Sequence, residues 1–221
     1  MEILSYLASH ALAFVLLAGL LGLVVGSFLN VVIHRLPRMM ERDWRQQARE
    51  ILEPDAEHAS EPTYNLVLPH SHCPNCQAEI KAWQNVPVVS YLALGGRCAG
   101  CKTRISPRYP LVELLTAALS MVIAWQFGFT WQAGSMLLLT WALISLSLID
   151  ADTQLLPDVI VLPMLWLGLI VNAFGLFTDL HTALAGAVFG YLSLWSVYWL
   201  FKLVTGKEGM GYGDFKLLAM I

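Results

Sequence analysis

The chain has 221 residues, 57% of them hydrophobic and only 13% charged. A soluble globular chain carries about 25% charged residues, so this deficit, with a mean hydropathy of +0.61, excludes an ordinary soluble domain and points to a membrane protein. The net charge of −3 says little, because 10 of the 13 Lys and Arg residues lie between Arg35 and Arg108. No basic stripe elsewhere suggests nucleic acid.

The first apolar run, ALAFVLLAGLLGLVVGSFLNVVI, predicts a spanning helix from Ala11 to Ile33, since about 20 apolar residues cross the hydrocarbon. It is too long for a signal-peptide core and has no basic residues in front. A polar segment from His34 to Arg108 follows and holds all four cysteines. Within it, AREILEPDAEHASEPTYN is acidic and proline-punctuated, and reads as a surface loop. From Leu114 to Ile149 there is no charged residue. That run is too long for one crossing. The break FGFTWQAGS divides it into helices at Pro110–Phe127 and Trp131–Ile149. Further spans are expected at Val159–Phe177, where Pro163 and Gly168 are positioned to bend the helix, and at Ala183–Phe201. A last segment starts at Phe215. There is no internal repeat or low-complexity tract.

Cytoplasmic loops carry the Lys and Arg excess. The His34–Arg108 segment is therefore expected on the cytoplasmic side, with the N-terminus outside. Alternation then puts Asp150–Asp158 and Thr205–Asp214 at the cytoplasmic face as well. Asp150, in LIDADTQLLPD, closes one span, and Asp214, in GMGYGDFKLL, opens another. Two adjacent carboxylates share a proton. One then serves as base toward water and the other as acid toward a carbonyl oxygen, which is aspartic-peptidase chemistry. Gly211 and Gly213 allow a peptide backbone to approach the acid. The plainer reading of an aspartate at a helix start is a cap or a dipole partner, and Asp158 after Pro157 is read that way. Asp152 reads as solvated at the interface. Glu113 reads as snorkelling or pairing with Arg108 or Arg104. Asn30 reads as a contact between helices.

The cysteines form CPNC and CAGC: Cys73, Cys76, Cys98 and Cys101. Two such knuckles turn four thiolates toward one ion, so a closed, structural zinc site is expected. Two disulfides are the alternative, disfavoured by the reducing compartment that the orientation implies. His70 and His72 are possible substitute ligands that read better as surface residues. The zinc would hold together a segment that lacks a core of its own.

The stretches GSFLNVVIHRLP, CPNC, NVPVVSYLALGGRCAGC, ISPRYPLVELLTA, LIDADTQLLPD and GMGYGDFKLLAMI occur in this order. Together they resemble the bacterial type IV prepilin peptidase family, and the likeness covers nearly the whole chain. The resemblance implies a polytopic inner-membrane aspartic peptidase of the GxGD type. Such an enzyme removes the leader from type IV prepilins and type II secretion pseudopilins at the cytoplasmic face. Its two catalytic aspartates fall on Asp150 and Asp214. The resemblance also implies methylation of the new N-terminal amine with S-adenosylmethionine. The sequence has no glycine-rich dinucleotide-type fingerprint, so the donor site is of another kind.

The expected architecture is an all-α polytopic membrane protein, a transmembrane helix bundle with a small zinc-stabilised cytoplasmic domain. Residues 1–33 are the first transmembrane helix, 34–109 the zinc-binding loop domain, and 110–221 the peptidase bundle. The family pattern continues past the GxGD helix, whereas Phe215–Ile221 is too short to cross a bilayer, so the bundle is expected to be C-terminally incomplete. Three other readings stand beside this one. They are a peptidase without methyl transfer, a non-enzymatic zinc-containing membrane scaffold, and a transporter, which would favour charges nearer the bilayer midplane.

Overall fold

The computed structural model describes residues 2–53 and 63–221; of the acidic loop expected over Ala48–Asn65, the middle lies outside them, and Ala48–Leu52 are helical instead. Eight α-helices and a short 3-10 turn account for nearly all the regular structure, and the described residues contain two isolated β-bridges but no strand. Among the described residues, four helices are long and apolar enough to cross a membrane. The chain divides into two units, Met1–Gly128 and Phe129–Ile221.

The first unit is built on two long helices, α2 (Ala11–Leu52) and α4 (Arg108–Phe127), with α1 (Glu2–Ser9) before them and the short α3 (Val89–Ala93) between them. α2 does not stop at Ile33 as expected. It continues through Pro37 to Leu52 for 42 residues in all. The extension is polar, yet it carries helix-supporting pairs four residues apart: Arg45 to Glu41 at 2.6 Å and Gln46 to Glu50 at 2.8 Å.

α2 and α4 approach closely because one face of α2 is glycine. A Cβ on Gly22 would stand 2.7 Å from the Ala117 Cα, and one on Gly26 would stand 2.7 Å from the Glu113 Cα. Without a hydrophobic force in lipid, small residues of this kind let helices gain contact through dispersion. The opposing Thr116 and Ser120 hydroxyls donate to carbonyls of their own helix, Val112 and Thr116, at 2.7 Å each. They therefore bring no unpaired donor into the contact. Val15, Ala18 and Ala124 continue the seam with Phe14 against them.

Toward the polar end, side chains replace packing. Asn30 donates to the Tyr109 carbonyl at 3.1 Å, joining the two helices as expected. Glu113 differs from expectation. It is buried, and its Oε2 accepts the Val88 N–H at 2.7 Å instead of reaching Arg104 or Arg108. A buried carboxylate needs such donors, and this one pins a loop whose Val88 has φ +57. Arg35, also buried, donates to the Asn65 and Pro69 carbonyls at 3.0 and 2.7 Å.

The second unit comprises α5 (Trp131–Thr153), α6 (Asp158–Ala173), α7 (Leu180–Thr205) and α8 (Tyr212–Met220). α6 ends four residues earlier than expected, at Ala173, because Asn172 turns the chain: its Oδ1 accepts the N–H groups of Phe177 and Thr178. Asp179 then caps α7, accepting from the Thr182 amide at 3.0 Å and its hydroxyl at 2.6 Å. The apolar contact unites Leu146 of α5, Val161 of α6 and Met220 of α8. A second cluster sets the rings of Tyr191, Tyr198 and Tyr212 around Phe215.

Candidate active site and metal centre

The four-cysteine cluster, which could hold a metal ion, is built from local geometry. In each knuckle the first cysteine N–H donates to the carbonyl five residues on, Cys73 to Ala78 at 2.9 Å and Cys98 to Thr103 at 2.8 Å. In each, the residue after the second cysteine donates back to the first: Gln77 to Cys73, Lys102 to Cys98. Gln77 and Lys102 both take positive φ, +58 and +60, where a non-glycine residue is uncommon. The β-bridges His72–Glu79 and Arg97–Arg104 close the two turns in the same way. The knuckles are thus one motif used twice, a local repeat that the differing side chains hide in the sequence.

The four Sγ atoms lie within 4.8 Å of one another. Four thiolates around a small tetrahedral ion need sulfurs about 3.8 Å apart. Cys73 and Cys101 are 3.7 Å apart and Cys76 and Cys98 4.0 Å. A disulfide bond is about 2.05 Å, so these separations are those of free cysteines and fit a metal ion. His70 and His72 are exposed and outside the cluster, as expected. The thiols are unequal. The Thr103 hydroxyl and the Asn75 side chain pull Cys101 down to about 5. The Cys76 and Asn75 amides lower Cys73. For Cys76 the Ala78 amide acts downward, but the Cys101 thiol, desolvation and the other two thiols outweigh it and push Cys76 up to about 11.

Beside the second knuckle lies an open cavity of about 590 Å³ lined by Tyr91, Gly95, Gly96, Arg97, Arg104 and Ile105 among others. Sequence reasoning did not find it. Two like charges directly opposite each other on a bridge are unfavourable alone, and an anion between Arg97 and Arg104 would relieve that.

In the second unit, Asp150 lies in the last turn of α5 and is exposed, whereas Asp214 lies in the first turn of α8 and is half-buried. The stretches that follow one and surround the other meet. A Cβ on Gly213 would stand 2.8 Å from the Leu156 Cβ, so only glycine lets this turn close on the loop after α5. Asp158 lies in the first turn of α6, the place of a dipole partner, with Pro157 in the capping position, and its carboxylate also takes Lys216, at 2.9 and 2.7 Å. Asp150 and Asp214 carry no ion pair among the described residues. Asp152 does have an interaction partner. The acids near this junction thus divide into those that are engaged and the two that are not.

Residues 20–127 match the family model for the bacterial peptidase A24 N-terminal domain, and residues 137–221 match the type IV leader peptidase family. A prepilin leader peptidase/N-methyltransferase of Pseudomonas aeruginosa is 71% identical over 100% of this chain and 76% of its own length. Relatives of the same name from Stutzerimonas stutzeri and Pseudomonas putida are 68% and 60% identical, over 98% and 100% of this chain and 74% and 76% of their own lengths. No solved structure matches the chain. A membrane helix protein with two unengaged aspartates, a four-cysteine cluster and this degree of identity along its whole length belongs to the type IV leader peptidase family, and is an enzyme with peptidase and N-methyltransferase activity.

Proposed function

We propose that the protein removes the leader from type IV prepilins and pseudopilins at the cytoplasmic face of the inner membrane, with Asp150 and Asp214 as the catalytic pair. The observation that carries this reading is the meeting of the α5–α6 loop with the start of α8, Leu156 against Gly213, which leaves both carboxylates unengaged. The chemistry needs two such groups. One carboxylate takes a proton from water as the oxygen adds to the scissile carbonyl, and the other gives a proton to the carbonyl oxygen. The tetrahedral intermediate then collapses, and the leaving nitrogen accepts a proton. The apolar helix of the substrate lies in the bilayer beside the bundle, and its basic leader emerges where the acidic groups attract it. The basic residues of 34–109 support a cytoplasmic location for that segment.

Cys73, Cys76, Cys98 and Cys101 would hold zinc. With four thiolates bound, the ion has no open position for water, so its part is to cross-link the two knuckles. The S-adenosylmethionine implied by methyl transfer supplies an electrophilic methyl group to the new N-terminal amine. Its carboxylate and adenine suit the cavity beside the second knuckle, where Arg97 and Arg104 offer charge and Tyr91 offers a ring.

The test is incubation of the protein in lipid with a prepilin and S-adenosylmethionine, with the product read by intact mass. Loss of the leader and gain of one methyl group is expected, with both absent in Asp214→Ala. Arg97→Ala is expected to weaken methylation while cleavage continues. Cleavage by Asp214→Ala at the unsubstituted rate would remove the pair from the mechanism.

A further inference from the structure

Asp150 and Asp214 lie on different helices, so their relative position must be set by contacts around them. Two are present. Leu156, six residues after Asp150, lies against Gly213, one residue before Asp214. Asp158, two residues further on, receives the Lys216 ammonium with both carboxylate oxygens, at 2.9 and 2.7 Å. The chain on each side of Asp214 is therefore held by the stretch that follows Asp150.

α8 has only nine residues from Tyr212 to Met220, little more than two turns. Phe215, beside Asp214, is buried among the rings of Tyr191, Tyr198 and Tyr212, which anchors one face of this helix; its polar face needs a separate anchor. Lys216 is two residues beyond Asp214, about 200° around the helix axis. Tying Lys216 to the start of α6 therefore fixes which way Asp214 faces.

We propose that Asp158 and Lys216 form a positioning ion pair for the peptidase reaction, holding the Asp214 turn in register with the end of α5; this rests on the reading of Asp150 and Asp214 as the catalytic pair. The two side chains are 51% and 33% exposed. A pair this exposed contributes little to stability. Its removal should therefore misplace a reacting group without unfolding the protein, and a displacement of about 1 Å costs up to about a hundredfold in rate.

The experiment measures cleavage kinetics of the protein in lipid nanodiscs for Asp158→Asn, Lys216→Met, Lys216→Arg and the exchanged double variant Asp158→Lys with Lys216→Asp. Thermal unfolding is recorded on the same samples. The single charge removals should lower kcat about 10- to 100-fold, with KM and the unfolding midpoint unchanged. Lys216→Arg and the exchanged pair should recover most of kcat. Unsubstituted kcat in the single variants would overturn the inference. So would a rate loss that tracks a fall in the unfolding midpoint, or no recovery in either rescue variant. Asp150→Asn and Asp214→Asn are run alongside. If either still cleaves, the catalytic-pair reading itself falls. If both are inactive while Asp158→Asn and Lys216→Met cleave normally, only the positioning role falls.

Discussion

The metal centre and the aspartate pair are assembled by opposite strategies. Each knuckle forms from eight consecutive residues, from His72 to Glu79 and from Arg97 to Arg104, and its own backbone hydrogen bonds aim the sulfurs. The aspartates stand 64 positions apart in the sequence, at the end of α5 and the start of α8, and the α5–α6 loop and the start of α6 reach α8 through Leu156 with Gly213 and Asp158 with Lys216. The first site tolerates change elsewhere in the molecule, whereas the second inherits every error in helix packing.

The sharpest break in this comparison comes from Asp150→Asn or Asp214→Asn. Either is expected to lower cleavage by on the order of 10⁴-fold, while bound metal, measured by elemental analysis, stays at its full level. The next largest effect falls on the other side. Cys76→Ser or a strong chelator should release the metal and expose the amides of residues 63–108 to hydrogen exchange, while exchange in α5–α8 is unchanged. Metal binding should also release protons, because Cys76, pushed up to about 11, must give up its proton to become a ligand. Affinity measured by competition with a chromophoric chelator should accordingly fall as the pH is lowered.

A smaller effect tests the glycine seam. Gly26→Leu would drive a side chain into the Glu113 backbone, and overpacking of this kind costs about 1–3 kcal/mol. The unfolding midpoint should fall, with cleavage retained below it. The smallest effect concerns the α7 cap. The hydroxyl and amide of Thr182 hold the Asp179 carboxyl below its ordinary value of 3.8. A lowered value in the fold means that its stabilising share is complete above about pH 4 and is lost as the pH falls through the folded value. Asp179→Asn, an equally good cap, should keep the helix and remove that acid sensitivity; Asp179→Ala should lose both.

Legibility in the sequence followed the same division. Knuckle spacing is a local signal, so the four cysteines could be read off directly, and their distances fit a metal. The spans of α4, α5 and α7 were legible because charge is absent from long stretches and helix length is set by the bilayer. The extension of α2 was hidden, because Pro37 and the charged run after it resemble a stop, although Glu41–Arg45 carried the opposing signal. The contact of Glu113 was misread, and the ion pair of Asp158 went unforeseen, for a different reason. Their partners, the Val88 amide and Lys216, are 25 and 58 positions away, and no local pattern announces a contact over such separations. The glycine face at Gly19, Gly22 and Gly26 lay in view as a spacing, but its meaning depended on finding α4 opposite.

The unbroken course of α2 makes it a lever. If its first half spans the hydrocarbon, the part from His34 to Leu52 reaches about 28 Å beyond. Bilayers of different thickness tilt spanning helices to different degrees. A change of about 10° in that tilt would sweep the Leu52 end through roughly 5 Å. Arg35 sits at the root of this arm, where the same tilt moves it by well under about 1 Å, so its grip on the Asn65 and Pro69 carbonyls ties the cysteine-bearing segment to the still end of the lever and not to its sweeping tip.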